Sequence, residues 1–68
     1  MEVLSPLTGK VLEINVKVGD TITEDDEVVI IEAMKMETPA YGENGVVKEI
    51  LIKVGDLINE EDVMMILE

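Results

Sequence analysis

The sequence has no cysteine, histidine, arginine, tryptophan or phenylalanine, and one tyrosine among its 68 residues. Without cysteine there is no disulfide bond and no thiol nucleophile, and without histidine the commonest general base is missing as well. Cysteine and histidine are also the usual ligands of zinc, so these are missing as well. Arginine and aromatic side chains read guanine and stack on bases, and a net charge of -11 repels a phosphate backbone. These absences argue against a self-contained catalyst, a metal site and nucleic-acid binding.

Long apolar runs are also missing. No stretch approaches the ~20 apolar residues that a membrane helix needs, and the first five residues lack the basic start of a secretory signal. Hydrophobic residues make up 47% of the chain, which argues against disorder despite the charge. We therefore expect residues 1–68 to form a single soluble, cytoplasmic and monomeric domain with no membrane insertion. Whether they are a whole protein or one domain of a longer chain stays open.

The chain repeats itself at an offset of 36 residues. Residues 9–32 align with residues 45–68 without a gap, and 13 of the 24 aligned positions are identical. Two copies are too few for a solenoid, whose terminal faces would stay uncovered. The repeat therefore predicts two half-repeats that close on each other about a pseudo-two-fold axis and share one core.

Both half-repeats have the pattern of β-strands. Residues 12–18 and 48–54 place an apolar residue at nearly every second position. Residues 28–31 and 64–67 are continuous apolar runs, too short for core helices, which is typical of central strands. We expect an all-β fold with a core that contains Ile30 and Ile66 above all, and also Ile14, Val16, Val18, Ile50, Ile52 and Val54.

Turns are marked in both copies by Val-Gly-Asp, at residues 18–20 and 54–56. Glycine can adopt a positive φ, and the aspartate side chain can accept a hydrogen bond from the turn. Residues 23–27 and 59–62 are acidic but lack the spacing and the glycine of a calcium-binding EF-hand loop. Because both copies carry such a segment, we interpret the two as solvated turns. Pro39 favours an edge strand.

Lys35 lies between the two repeats, whereas the other lysines fall within them. The repeat symmetry places residues 32–37 opposite the junction of the two chain ends, as a hairpin presented to solvent. A single exposed lysine is usually no more than surface charge. Here it stands between Met34 and Met36, and each exposed methionine costs about 1 kcal/mol unless it is covered. Soft apolar side chains on an exposed turn suit a surface that another protein grips.

The segment Glu32-Ala33-Met34-Lys35-Met36-Glu37 resembles the attachment motif of biotinyl domains, the carriers of biotin-dependent carboxylases, decarboxylases and transcarboxylases. The resemblance covers essentially the whole chain, because that family also has two half-repeats with a Val-Gly-Asp turn in each. It implies a flattened antiparallel β-barrel-sandwich hybrid, or hammerhead, with the modified lysine on an exposed hairpin. Small free-standing biotin/lipoyl attachment proteins look most similar.

The same resemblance implies the chemistry and the partners. A biotin protein ligase would join biotin covalently to Nζ of Lys35, and Met34 and Met36 would help the ligase and the partner enzymes recognise the turn. Glu32, Ala33 and Glu37 would flank the site. The implied partners are biotin carboxylase and carboxyltransferase or decarboxylase subunits, between which the domain would carry carboxyl groups without being a catalyst itself.

Two departures and two alternatives accompany this hypothesis. Residues 40–45 are one residue shorter than the usual family segment, and the gapless repeat leaves no room for the protruding thumb of some acetyl-CoA carboxylase carriers. That favours the thumbless carriers of decarboxylases and multi-subunit acyl-CoA carboxylases. Lipoyl domains share the fold but usually have Asp-Lys-Ala at the turn, so biotin is preferred over a lipoyl carrier. An unmodified interaction module is the other alternative, and the acceptor substrate stays open.

Overall fold

The computed structural model describes residues 1–68 as eight β-strands, so the predicted all-β class is confirmed. The structure contains no helix that could span a membrane. All strand pairs are antiparallel. The strands are β1 (Glu2–Leu4), β2 (Gly9–Ile14), β3 (Thr21–Ile22), β4 (Glu27–Ala33), β5 (Met36–Tyr41), β6 (Gly45–Ile50), β7 (Leu57–Ile58) and β8 (Val63–Leu67).

The strands form two four-stranded sheets, with the orders β1-β8-β6-β3 and β5-β4-β2-β7. The offset of 36 residues carries β2, β3 and β4 onto β6, β7 and β8, and it carries one sheet onto the other. Each half gives its short strand to the sheet of the other half, because β3 pairs with β6 and β7 pairs with β2. Neither half therefore completes a sheet alone, and the two halves share one core.

The Val-Gly-Asp turns connect the two sheets at equivalent places. The backbone N–H of Gly19 donates to the carbonyl of Val47 at 2.8 Å, and the N–H of Gly55 donates to the carbonyl of Val11 at 2.8 Å. Both glycines have a φ of 98°, in the region that favours glycine over residues with a side chain. The predicted turns are confirmed.

Aspartate side chains close four loops. Asp20 Oδ2 accepts a hydrogen bond from the N–H of Lys17 at 2.9 Å, and Asp56 Oδ2 accepts one from the N–H of Lys53 at 2.9 Å. No group of three or more acidic side chains converges in a geometry that could hold a metal ion. The two acidic segments are closed by the same kind of hydrogen bond. Asp26 accepts from the N–H of Thr23 at 2.9 Å, and Asp62 accepts from the N–H of Asn59 at 2.8 Å.

The core lies between the two sheets and is drawn from both halves. The prediction that the core contains Ile30 and Ile66 above all was wrong, because both are half-buried and lie outside the core. The β4–β5 ladder shifts register between Glu27 and Val29, and Ile30 lies on the opposite face of β4 from its buried neighbours. The residues buried in β4 and β8 are Val28, Val29, Ile31, Met64, Met65 and Leu67.

The prediction that Val18 and Val54 face the core was also wrong, because they are 63% and 64% exposed. Each of these valines is the first residue of its Val-Gly-Asp turn, where the chain has left the strand and the side chain lies in solvent. The other inward-facing predictions are confirmed, with Ile52 buried and Ile14, Val16 and Ile50 packed against the core.

Candidate functional site

The segment between the repeats forms a hairpin, as predicted. Strands β4 and β5 pair up to Ala33 opposite Met36, so Met34 and Lys35 are the two residues of the loop. Their φ angles are 54° and 64°. A two-residue hairpin loop with both φ angles positive is a type I′ turn, whose twist matches that of the flanking strands.

This turn is occupied by residues that do not favour it. Type I′ loops prefer Asn-Gly or Asp-Gly, because a positive φ costs a residue with a side chain on the order of 1–2 kcal/mol. Met34 and Lys35 both adopt it. The conformation is maintained by the paired strands on either side, since β4 is an inner strand that also pairs with β2. Backbone strain maintained by its surroundings is a mark of functional sites.

Other features of the hairpin tip also oppose stability. Met34 is 94% exposed and Met36 is 66% exposed, so neither contributes much to the core. Glu32 and Glu37 lie directly opposite each other across the ladder, and like charges at opposed positions are destabilising. Strain, exposed apolar surface and like charge thus coincide in six residues, which indicates a role other than folding.

The tip presents one primary amine. Lys35 is exposed at the second position of the loop, and no pocket opens beside it. Of the flanking residues, Glu32 and Ala33 end β4 while Met36 and Glu37 begin β5. A primary amine on such a projection can be reached by another macromolecule and can serve as an attachment point.

Gly9 supports the hairpin from the neighbouring strand. It begins β2, and a Cβ at this position would collide with the carbonyl oxygen of Glu32 and approach Cγ2 of Ile31 to 2.7 Å. A residue without a side chain therefore lets β2 pack closely against β4 just below the tip. The occurrence of Gly at the equivalent position 45 was the signal in the sequence that could have revealed this packing role.

A pseudo-symmetric pair of β-sheets with one exposed lysine on its connecting hairpin defines a cofactor-carrier domain. The chain belongs to the family described as "Biotin-requiring enzyme", whose profile matches residues 1–67. The resemblance inferred from the sequence is thereby confirmed, as is biotin as the cofactor.

Named relatives agree with this assignment. The chain is 51% identical over 35 residues to the mitochondrial propionyl-CoA carboxylase alpha chain of Caenorhabditis elegans, covering 52% of this chain and 5% of that protein. It is 48% identical over 33 residues to the biotin carboxyl carrier protein of Streptococcus mutans, covering 48% of this chain and 25% of the relative. It is 51% identical over 37 residues to the methylmalonyl-CoA carboxyltransferase 1.3S subunit of Propionibacterium freudenreichii subsp. shermanii, covering 54% of this chain and 30% of the relative.

Solved structures show the same fold. The Kluyveromyces lactis urea carboxylase matches with a TM-score of 0.88 and 33% identity, covering 100% of this chain and 6% of that one. The matches to these relatives span at most 30% of their length. The predicted hammerhead fold and biotin carboxyl carrier function are confirmed, and the lipoyl alternative is less supported than biotin.

Proposed function

We propose that Lys35 is the residue that carries biotin and that residues 1–68, with half-repeats 9–32 and 45–68, act as a single non-catalytic carrier domain. The observation that carries the proposal is the position of Lys35 at the exposed tip of the strained β4–β5 turn. Lys17 and Lys53 occupy equivalent positions in the two repeats. A carrier that is modified at one lysine needs only one such position, which speaks against both. Lys10 and Lys48 lie within β2 and β6.

The hairpin fits covalent attachment through an amide bond. An ordinary lysine is an ammonium ion at neutral pH and must lose a proton before it attacks an acyl group. The chain has no histidine and no pocket to activate the amine. The acylation therefore requires an external biotin protein ligase, and the tip leaves the amine open to it. The backbones of Glu32, Ala33 and Glu37 pair within the ladder at the ends of the turn, while Met34 and Met36 offer apolar contacts.

When bound, biotin supplies a ring that accepts and releases a carboxyl group. Acylation removes the charge of Lys35 and turns its flexible side chain into part of a tether. A tether raises the local concentration of the attached group at any site within its reach. The body of the domain supplies the rigid base of this tether, because the tip extends from an inner strand of one sheet.

The names of the relatives support a choice of partners. They include subunits of a carboxylase, a carboxyltransferase and the glutaconyl-CoA decarboxylase of Acidaminococcus fermentans. The proposed partners are accordingly a biotin carboxylase and a carboxyltransferase or decarboxylase subunit, in addition to the ligase. The expectations that the domain is monomeric and cytoplasmic stay predictions.

Intact mass after co-expression with a biotin protein ligase tests the proposal. The expected result is one biotinyl group on the wild type and none on Lys35→Arg, since a guanidinium stays protonated and is not acylated. Lys53→Arg is the matched control and should be biotinylated like the wild type. Biotin on Lys35→Arg would refute the assignment. A parallel co-expression with a lipoate ligase tests the alternative, and modification by that enzyme alone would favour it.

A further inference from the structure

The sulfur atoms of this chain lie in two opposite environments. Met64 and Met65 are 0% exposed in the core, whereas Met1, Met34 and Met36 are 67%, 94% and 66% exposed. There is no cysteine, so thioethers are the only sulfur that an oxidant can reach. Two of the three accessible thioethers flank Lys35, where neither is needed for the core.

We infer that Met34 and Met36 form a site of reversible oxidation by hydroperoxides, and that their oxidation state controls recognition of the hairpin tip. The selectivity of the oxidation depends only on the exposure of the side chains. The control of recognition rests on the proposed function of Lys35, because it concerns the enzyme that acylates this residue.

The chemistry needs one oxidant and one reductant. A sulfur lone pair attacks the terminal oxygen of the hydroperoxide, the O–O bond breaks as an S–O bond forms, and the proton of that oxygen moves to the departing oxygen. The sulfur loses two electrons, and the hydroperoxide is reduced to an alcohol, or to water if it is hydrogen peroxide. In the reverse direction, methionine sulfoxide reductases use two thiols, which become a disulfide as the oxygen leaves as water.

Oxidation at the tip changes the surface and leaves the fold intact. A thioether is soft and apolar, whereas a sulfoxide is polar and chiral. A partner surface that covers Met34 and Met36 as apolar groups would have to bury an S–O oxygen without a hydrogen-bond donor, which is unfavourable. Both side chains extend mostly into solvent, so the same change removes little packing within the domain. Oxidation of Met64 or Met65 would instead disrupt the core.

The first experiment maps the oxidation. The folded chain is treated with hydrogen peroxide, and the sulfoxide at each methionine is followed over time by peptide mass spectrometry. Met34 and Met36 should be oxidised at least about tenfold faster than Met64 and Met65. The thermal midpoint of the chain oxidised at the tip should equal that of the reduced chain. Equal rates at all five methionines, or unfolding that accompanies the first oxidation, would overturn the site.

The second experiment measures recognition. Biotin protein ligase is given the reduced and the oxidised chain, and we expect kcat/KM for the oxidised chain to fall at least about fivefold. Treatment with methionine sulfoxide reductases and a dithiol should restore it. The control is Met34→Leu/Met36→Leu, which retains Met1. The kcat/KM of its oxidised form divided by the kcat/KM of its reduced form should be close to one, whatever the absolute value of either.

The outcomes separate the two proposals. Equal rates for the oxidised and reduced wild type, or an equal loss in the double variant, would overturn the control of recognition. If the reduced wild type is not biotinylated at Lys35, the proposed function fails and the control of recognition fails with it. The oxidation map does not use the ligase, so it decides the oxidation site in either case.

Discussion

Ala33 and Met36 lie directly opposite each other across the β4–β5 ladder, so Met34 and Lys35 alone reverse the chain. Both loop residues have a positive φ, of 54° and 64°. Lys35, the residue proposed to carry biotin, therefore has a backbone conformation that is unfavourable for a residue with a side chain. The proposed attachment site and the backbone strain are therefore found at the same residue, Lys35.

Relief of this strain should stabilise the domain. We expect Lys35→Gly to raise the free energy of unfolding by about 0.5–1 kcal/mol, because glycine adopts a positive φ at little cost. Lys53→Gly is the matched control at an exposed lysine without a positive φ, and it should lower stability because glycine gives the unfolded chain more freedom. Urea unfolding followed by circular dichroism measures both. A loss of stability in Lys35→Gly would contradict the strain.

The aspartates of the Val-Gly-Asp turns should each contribute to stability through one hydrogen bond. Asp56→Ala removes the acceptor of the Lys53 N–H and should cost about 1 kcal/mol of unfolding free energy. Asp25→Ala is the control, because this exposed carboxylate accepts no backbone hydrogen bond, and it should change stability by less than about 0.5 kcal/mol. Equal effects of the two substitutions in urea unfolding would show that charge, not the bond, matters.

The same substitution at a core and a tip methionine should have very different effects. Met65 is 0% exposed, and Met65→Ala should cost about 2–5 kcal/mol, a large part of the stability of so small a domain. Met34→Ala, at a side chain that is 94% exposed, should leave the thermal midpoint nearly unchanged. Calorimetry of the two variants tests this. A comparable loss at Met34 would mean that the tip is packed against the domain.

A side chain at Gly9 should separate β2 from β4. Gly9→Ala places a methyl group against the carbonyl oxygen of Glu32, where the backbone must move, and should cost about 1–3 kcal/mol. Lys10→Ala, one residue along the same strand and exposed, is the control. Equal thermal midpoints for the two variants would refute the close approach. Hydrogen exchange at the backbone amide of Glu32 should detect the separation of β2 from β4 next to the hairpin.

Strand order illustrates what the sequence could not predict about the fold. The identical turns at residues 18–20 and 54–56 predict two similar halves, but they do not indicate that each half gives a short strand to the other's sheet. That exchange depends on long-range hydrogen bonds, such as Gly19 N–H to Val47 and Gly55 N–H to Val11. Local propensity contains no information on which distant strand a two-residue strand will join.

The errors in the predicted core have a related cause. A continuous apolar run such as residues 28–31 has no period, so the side that faces inward is set by the bulge in the β4–β5 ladder and not by the run itself. Val18 follows the alternating pattern, yet it lies in the Val-Gly-Asp turn and is exposed, whereas Val16, which comes before the turn, still packs against the core. Alternation therefore stops indicating burial where the chain enters a turn.

The sequence by itself determined the all-β class, the two-fold repeat, the turns and the unique lysine between the copies, because composition, periodicity and glycine placement are local or self-comparing properties. Only the tertiary structure decided the exchange of short strands, the one-position shift in the core and the type I′ conformation of Met34 and Lys35. Neither loop residue favours a positive φ. The pairing of Ala33 with Met36, within a sheet stabilised by the shared core, imposes it.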